Sequence, residues 1–300
     1  MLKDKGFEVE CLARTHNEHT GDIISTFRLR YPRFIHSELM THRMFSRNAS
    51  SSRAIPITTI TKEISDTPAM PIFWGANRPG MQATEECNED IFYHNFEYDN
   101  TSKFSREELW EAAAETASEV ALSYSAAGYH KQTVNRLLEP FQFINVLVTA
   151  TDWTNFFNLR RSDLAQPEIH LLADMMFTEM MLVGVKTSNW HLPFNIACET
   201  LEDALIINTS KAAKISYNKD RMECSLEDHK RVHDMLWEHK HMSPFEHCAR
   251  AFDIDETEIA WRIASIADAR GADWVTPMYC RNFRGFKSYR YLLETNEIKL

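Results

Sequence analysis

Over residues 21–35, Ile23, Ile24, Phe27, Leu29 and Tyr31 are interleaved with basic positions, a pattern that predicts a strand ended by Pro32. Phe34 to Arg47 places Ile35, Leu39 and Met40 on one face at helical spacing and predicts a helix. A Ser-rich loop follows, closed by Pro56. Residues 66–90 read as loop, punctuated by Pro68, Pro71, Gly75, Pro79 and Gly80. The plainest helix spans 105–127. Ser105 and Glu108 form a capping box, Gly128 stops the helix, and Leu109, Ala113, Thr116, Val120 and Tyr124 are the expected inner stripe. Phe143 to Thr149 predicts a buried strand, and Asp152 to Arg161 a short helix. A long helix starts at Pro167, a residue tolerated in a first turn. Its Met175, Met176, Met180 and Met181 read as core filler. Ala204 to Ser216 is apolar and small, and Ser225-Leu226-Glu227-Asp228 opens a further helix. The tail from Arg281 to Arg290 is basic and aromatic.

Composition narrows the class. The chain has 300 residues, 44% of them hydrophobic and 11% aromatic, enough for a large core of one domain or two. No apolar run approaches the roughly 20 residues of a membrane span, and the first residues lack the apolar stretch of a signal peptide. Cys11, Cys87, Cys198, Cys224, Cys248 and Cys280 are scattered, with no C-x-x-C pair. That spacing fits reduced thiols and a cytoplasmic location. The net charge of −10 argues against stable nucleic-acid binding, which needs many unopposed cations.

Within this acidic chain one segment is basic. Arg28, Arg30, Arg33, Arg43, Arg47 and Arg53 face a single acid, Glu38, and are interleaved with Ser46, Asn48, Ser50, Ser51 and Ser52. Guanidinium forks and short hydroxyl donors suit a phosphate, so the cluster predicts a small, pocket-bound anion. His130 to Pro140 adds a second station around Arg136. The other candidates are weaker. His229 and His233 are four apart, but Lys230 stands where a metalloprotease has its glutamate, and they are expected on a solvated helix face. His239, His241 and His247 lack supporting ligands, so no metal site is expected. No glycine-rich phosphate loop and no cysteine-nucleophile signature is present.

Taken together, these stations resemble a known family. Thr41-His42-Arg43, seven residues, then Ser51 is similar to the Arg-His-Arg, seven residues, Ser signature of the flavin-dependent thymidylate synthases, the ThyX family. Ser46, Asn48 and Arg53 match its extended form. Asn155-Phe156-Phe157-Asn158-Leu159-Arg160 with Ala165 to Ile169 matches a second block. Ser210 to Tyr217 and His241-x-Ser243-Pro244-Phe245-Glu246-His247 match a third. The last block precedes the signature in familiar members and follows it here, so the chain looks like a circularly permuted form, similar to those encoded by some phages. Permutation is tolerated when termini lie close together at the surface.

The resemblance implies an α/β (α+β) fold, a mixed sheet flanked by helices, as one domain over 1–300. The half 1–200 would carry the His-Arg/Ser and Arg160 motifs, and the half 201–300 the Ser-Pro-Phe-Glu-His motif. It implies a homotetramer with sites between subunits, FAD as cofactor, and dUMP as the nucleotide. It further implies methylene-tetrahydrofolate as carbon donor and NADPH as reductant. By this analogy His42, Arg43, Asn155 and Ser243 contact the flavin. Glu38, Ser51, Ser52, Arg53 and Arg136 bind the nucleotide. Arg160 and Ser51 are catalytic, with Arg160 at the pyrimidine edge. A cation there stabilises charge developing on the ring when C5 becomes nucleophilic, and flavin chemistry needs no protein cysteine.

Three positions and one segment depart from the family pattern. Thr41 replaces the first signature arginine, Ala49 a frequent glutamate, and Glu38 a glutamine. The run before the Asn155 helix is shortened to Thr149-Ala150-Thr151-Asp152-Trp153. An ionised glutamate only accepts hydrogen bonds, so Glu38 either pairs with an arginine or favours an exocyclic amino group such as that of cytosine. The departures keep two further readings open: a 5-hydroxymethylase or dCMP methylase on the same fold, and a non-catalytic nucleotide-binding protein.

Overall fold

The computed structural model describes residues 1–95, 99–194, 196–216, 224–269 and 278–298. Tyr217 of the third motif block lies outside them. The chain opens with β1 (Leu2–Asp4), β2 (Phe7–His16) and β3 (Ile23–Pro32), then α1 (His36–Met40) and β4 (Ser46–Ala49). An excursion follows: α2 (Ile57–Asp66), the hairpin β5 (Ile91–Asn95) and β6 (Asn100–Phe104), α3 (Arg106–Ala126) and α4 (Lys131–Val134). The chain returns as β7 (Phe143–Ala150), α5 (Thr154–Arg160), α6 (Pro167–Leu182), β8 (Lys186–Thr187) and β9 (Trp190–His191). The last third contains α7 (Leu201–Ala213), α8 (Leu226–Glu238), β10 (Ala249–Ala251) and α9 (Ile254–Ala269). It closes with β11 (Tyr279–Cys280), β12 (Phe283–Arg284), β13 (Phe286–Ser288) and α10 (Tyr289–Glu294).

The fold is α/β and its main sheet is mixed. Strands run in the order β1-β2-β3-β7-β4, antiparallel throughout, and β8 joins β2 in parallel. β7 lies between β3 and β4 and is apolar on both faces. Val146 and Val148 pack with Phe27, Leu29, Ile169, Leu172 and Met176 under α6. Leu147 points the other way, against Ala212 and Ile215 at the end of α7. Helices therefore cover both sides of the sheet, and each fully buried aliphatic side chain stabilises it by about 1.5–3 kcal/mol. The β1–β2 turn requires glycine. Gly6 has φ of 82°, and a Cβ there would stand 2.3 Å from the Phe143 ring.

Several sequence expectations are corrected. The helix expected over Phe34 to Arg47 stops at Met40, where Thr41 N–H and Thr41 Oγ1 both donate to the Glu38 carbonyl. Arg47 Nη1 then donates to Met40 O at 3.0 Å and His42 O at 3.2 Å, satisfying carbonyls that helix termination leaves free. Ser46 to Ala49 becomes a strand because the edge of β7 offers it a ladder, with Ser46 opposite Thr149 and Asn48 opposite Leu147. On α3 the capping box forms as expected, but the inner face is Ala114, Ala117 and Ala121, while Val120 and Tyr124 are exposed. Small residues let α3 approach Ile60 and Ile64 of α2 closely, and this outweighs the larger apolar side chains one position away. His229 and His233 are buried, not solvated: His233 stacks on Tyr289 and packs on Phe245. Finally, Met175, Met176 and Met180 are core residues, whereas Met181 is exposed.

All six cysteines are unbridged. Among the described residues no helix is long and apolar enough to cross a membrane, and no cluster of three metal-ligating side chains occurs.

Candidate functional site

The turn after α1 and the C-terminal end of α5 meet at Arg160. Arg160 Nε donates to His42 Nε2 at 3.1 Å and Nη1 to Glu38 Oε2 at 2.9 Å. Nη2 donates to Thr41 Oγ1 at 3.2 Å and to the Glu38 carbonyl at 3.4 Å. Every nitrogen of the guanidinium is thereby engaged. His42 is buried against Phe45 and edge-on to Phe156. Burial first, then Arg160 and Arg47, push its pKa down to about 4. The imidazole is neutral at pH 7, and because Nε2 accepts from Arg160, its proton sits on Nδ1. Burial pushes the Glu38 carboxyl above its usual range. Arg160 opposes that shift, and Glu168 adds to it. Thr41 has a direct role here: it accepts from Arg160, where an arginine would set a second cation against the first.

This cluster is one wall of a cavity of about 660 Å³. Glu38 and Arg160 line it together with Phe34, Phe73, Trp110 and Pro140. The covering segment is tied down. Ile72 N–H donates to Glu168 Oε1, Gln82 Nε2 donates to Leu164 O, and Trp110 Nε1 donates to Ala69 O. Aromatic walls with a few convergent polar groups suit a planar heterocycle.

Beside the cavity lies a basic cluster. Arg33 precedes the lining residue Phe34, and Glu139 precedes the lining residue Pro140. Glu139 Oε1 receives Arg33 Nη2 at 3.0 Å, Arg136 Nη1 at 2.9 Å and the Ser52 hydroxyl at 3.2 Å. Asn135 Nδ2 holds the Ser52 and Ile55 carbonyls, and Lys131 Nζ holds the Ala54 carbonyl, which fixes the turn from Ser51 to Ile55. Arg53 is exposed on that turn.

The six arginines of the basic segment divide. Arg28 pairs with Glu10, and Arg30 bonds the Gly6 carbonyl and covers the Phe143 ring. Arg33 pairs with Glu139, and Arg47 caps α1. Arg28, Arg30 and Arg47 are thus held inside the fold and need no ligand, whereas Arg33 shares its carboxylate with Arg136. Only Arg43 and Arg53 are exposed without a hydrogen bond to another described residue. The anion inferred from the arginine count is thus left to a smaller set around Arg33, Arg53 and Arg136.

The third motif block joins the same region. Ser243 Oγ donates to Asn48 Oδ1 at 3.0 Å, and Asn48 Nδ2 to the Ala212 carbonyl at 2.6 Å, so three distant segments, from the first and third motif blocks, share one bonded chain. His247 bonds Thr149 at 2.8 Å, Thr149 bonds Thr26 at 2.7 Å, and Thr26 bonds His191 at 2.7 Å. Asn155 is exposed on α5, near the exposed Leu159 one turn later, and Arg43 is exposed in the turn after α1. Sequence reading placed Arg33 in the basic segment but did not single out Glu139, Phe34, Phe73 or Trp110 for this site. Proximity to Arg136 was a signal for Glu139. Nothing local marks Phe73 or Trp110, which reach the cavity from the excursion.

Fold and site define a class: an α/β protein with an arginine-anchored cavity of nucleotide size. The family model described as thymidylate synthase complementing protein matches residues 4–183. That is more than half of the chain, and the chain belongs to this family, the flavin-dependent thymidylate synthases. The matched span ends before the Ser243–His247 block. The solved structures similar to the chain include the UMP/dUMP methylase PolB from Streptomyces cacaoi bound with 5-Br dUMP. It is 15% identical, with 59% of this chain and 90% of that chain covered and a TM-score of 0.42. The same enzyme bound with 5-Br UMP is 17% identical, with 59% and 89% covered and a TM-score of 0.41. No curated protein matches the sequence.

Proposed function

We propose that this protein is a flavin-dependent thymidylate synthase that transfers a one-carbon unit from methylene-tetrahydrofolate to C5 of dUMP, with NADPH as reductant. One observation carries the reading. A single aromatic-walled cavity has the Glu38–Arg160 pair on one wall and adjoins, through Phe34 and Pro140, the cluster of Arg33, Ser52 and Arg136. The first is a polar edge for a pyrimidine; the second, with Ser51 and Arg53, receives its phosphate. Arg160 places positive charge where the ring becomes electron-rich, and Glu38, Thr41 and His42 hold its guanidinium flat and oriented.

Four residues were assigned to FAD, and they differ in fit. Arg43 and Asn155 are exposed donors beside exposed Met44 and Leu159, a mixed face suited to a ring system and its phosphates. Ser243 lies at the end of the Asn48 chain. His42 fits a supporting role, because its ring is buried and Nε2 is held by Arg160. When bound, FAD supplies the redox capacity of the reaction. The exposed face is half a site, which supports a homotetramer whose subunits complete one another. The chain works as one domain, in the cytoplasm.

A second reading rests on Glu38. Arg160 pairs with its Oε2, as one of the two expectations had it, and the second carboxylate oxygen on the cavity wall suits an exocyclic amino group, so dCMP competes with dUMP, and the product is methylated or hydroxymethylated. Incubation with each nucleotide, methylene-tetrahydrofolate, NADPH and FAD, followed by mass spectrometry, decides. A methylated dUMP supports the first reading, and a hydroxymethylated or cytosine product the second. A colourless protein that takes up no FAD and turns over neither nucleotide refutes both and leaves nucleotide binding alone.

A further inference from the structure

We propose that Glu139 is a built-in competitor for the substrate's phosphate, occupying its donors until a phosphate monoester displaces it. The inference rests on the nucleotide reading above and adds how that site selects its ligand. Three donors crowd one carboxylate oxygen: Arg33 Nη2 at 3.0 Å, Arg136 Nη1 at 2.9 Å and Ser52 Oγ at 3.2 Å all reach Glu139 Oε1. A single carboxylate oxygen has about two lone-pair sites, so the three donors share it poorly. A phosphate monoester offers three acceptor oxygens and up to two negative charges, enough to give each donor its own oxygen.

The charges point the same way. Arg33, Lys131 and Arg136 gather at the turn from Ser51 to Ile55, which itself carries Arg53, and Glu139 is the acid that pairs with two of these four, Arg33 and Arg136. The cluster stays cationic with Glu139 in place and has room for a dianion. The Ser52 hydroxyl has one proton, and Glu139 holds it. A phosphate cannot take that donor, or the engaged nitrogen of Arg136, while the carboxylate remains. Arg136 is over half exposed, so the pair opens toward solvent without disturbing the core. Asn135, fully buried, fixes the Ser52 carbonyl and keeps the turn in place when Glu139 leaves. The device favours dianionic phosphates over weaker anions and unphosphorylated nucleosides.

Calorimetric titration of the full chain with dUMP, inorganic phosphate and deoxyuridine tests this. Glu139→Gln removes the competing charge and is expected to tighten dUMP and inorganic phosphate about three- to fivefold, with deoxyuridine unchanged. Glu139→Asp, which withdraws the carboxylate by one methylene, is expected to act in the same direction and serves if the glutamine variant fails to fold. Unchanged dUMP affinity in the folded variants overturns the proposal. Weakened affinity also overturns it and makes Glu139 a positioning residue. A wild-type protein that binds neither dUMP nor inorganic phosphate overturns the nucleotide reading and this inference together.

Discussion

Thr149 is the central link of a buried chain, and its replacement has a calculable cost. Thr149→Val keeps the shape of the side chain and removes its hydroxyl. Two hydrogen bonds are lost, to Thr26 Oγ1 at 2.7 Å and to His247 Nδ1 at 2.8 Å. His247 is fully buried, and its Nε2 has no partner among the described residues, so the variant leaves the ring without any. A stranded buried polar group costs about 1–3 kcal/mol and a lost neutral bond about 0.5–1.5 kcal/mol. The expected destabilisation is therefore about 2–4 kcal/mol, or a fall in Tm of about 3–6 °C for a chain of this size. Urea denaturation at pH 7.5, followed by tryptophan fluorescence, measures it. Thr26→Val breaks the same Thr–Thr bond, so the double variant should lose about 1 kcal/mol less than the sum of the two. A Thr149→Val loss below about 0.5 kcal/mol, or strict additivity, would show that the chain does not join the Ser243–His247 block to the sheet as argued.

The same histidines set a pH dependence. Burial pushes His191 to about 3, and burial with the nearby His191 does the same to His247, against about 6.5 in an unfolded chain. Their folded-state values are lowered, so the unfolded state binds protons first. Stability is whole above pH 6.5 and declines toward pH 3, by about 2 kcal/mol for each histidine at pH 5. Urea midpoints that stay level between pH 7.5 and 5 would contradict this. At the candidate site, Arg160→Lys keeps the charge but cannot bond Glu38, Thr41 and His42 together. The turnover of dUMP should fall about 10- to 100-fold with the circular dichroism spectrum unchanged, and full turnover would remove Arg160 from its assigned role.

Much of the fold was legible along the chain because its signals are local. The Ser105–Glu108 capping box, Pro167 at a helix start and the apolar run of β7 each act within a few residues. The strand at Ser46–Ala49 was not legible, since its four residues carry no strand pattern and are recruited by the open edge of β7. The inner face of α3 was misread for a related reason: small residues pack closest, and only the position of α2 shows which face is covered. At the site, His42, Arg160, Asn48 and Ser243 stood out by motif. Their partners did not, because Arg160 meets Glu38 and His42 across more than a hundred residues of chain.

Family, motif order and the residue types at the site can be read along the chain, for these depend on identity and spacing alone. Tertiary structure decided which charges are free. Side-chain identity makes Arg28, Arg30 and Arg47 as fit for phosphate as Arg53. An arginine's availability depends on whether a carbonyl, carboxylate or ring already sits within about 3–4 Å, as it does for those three.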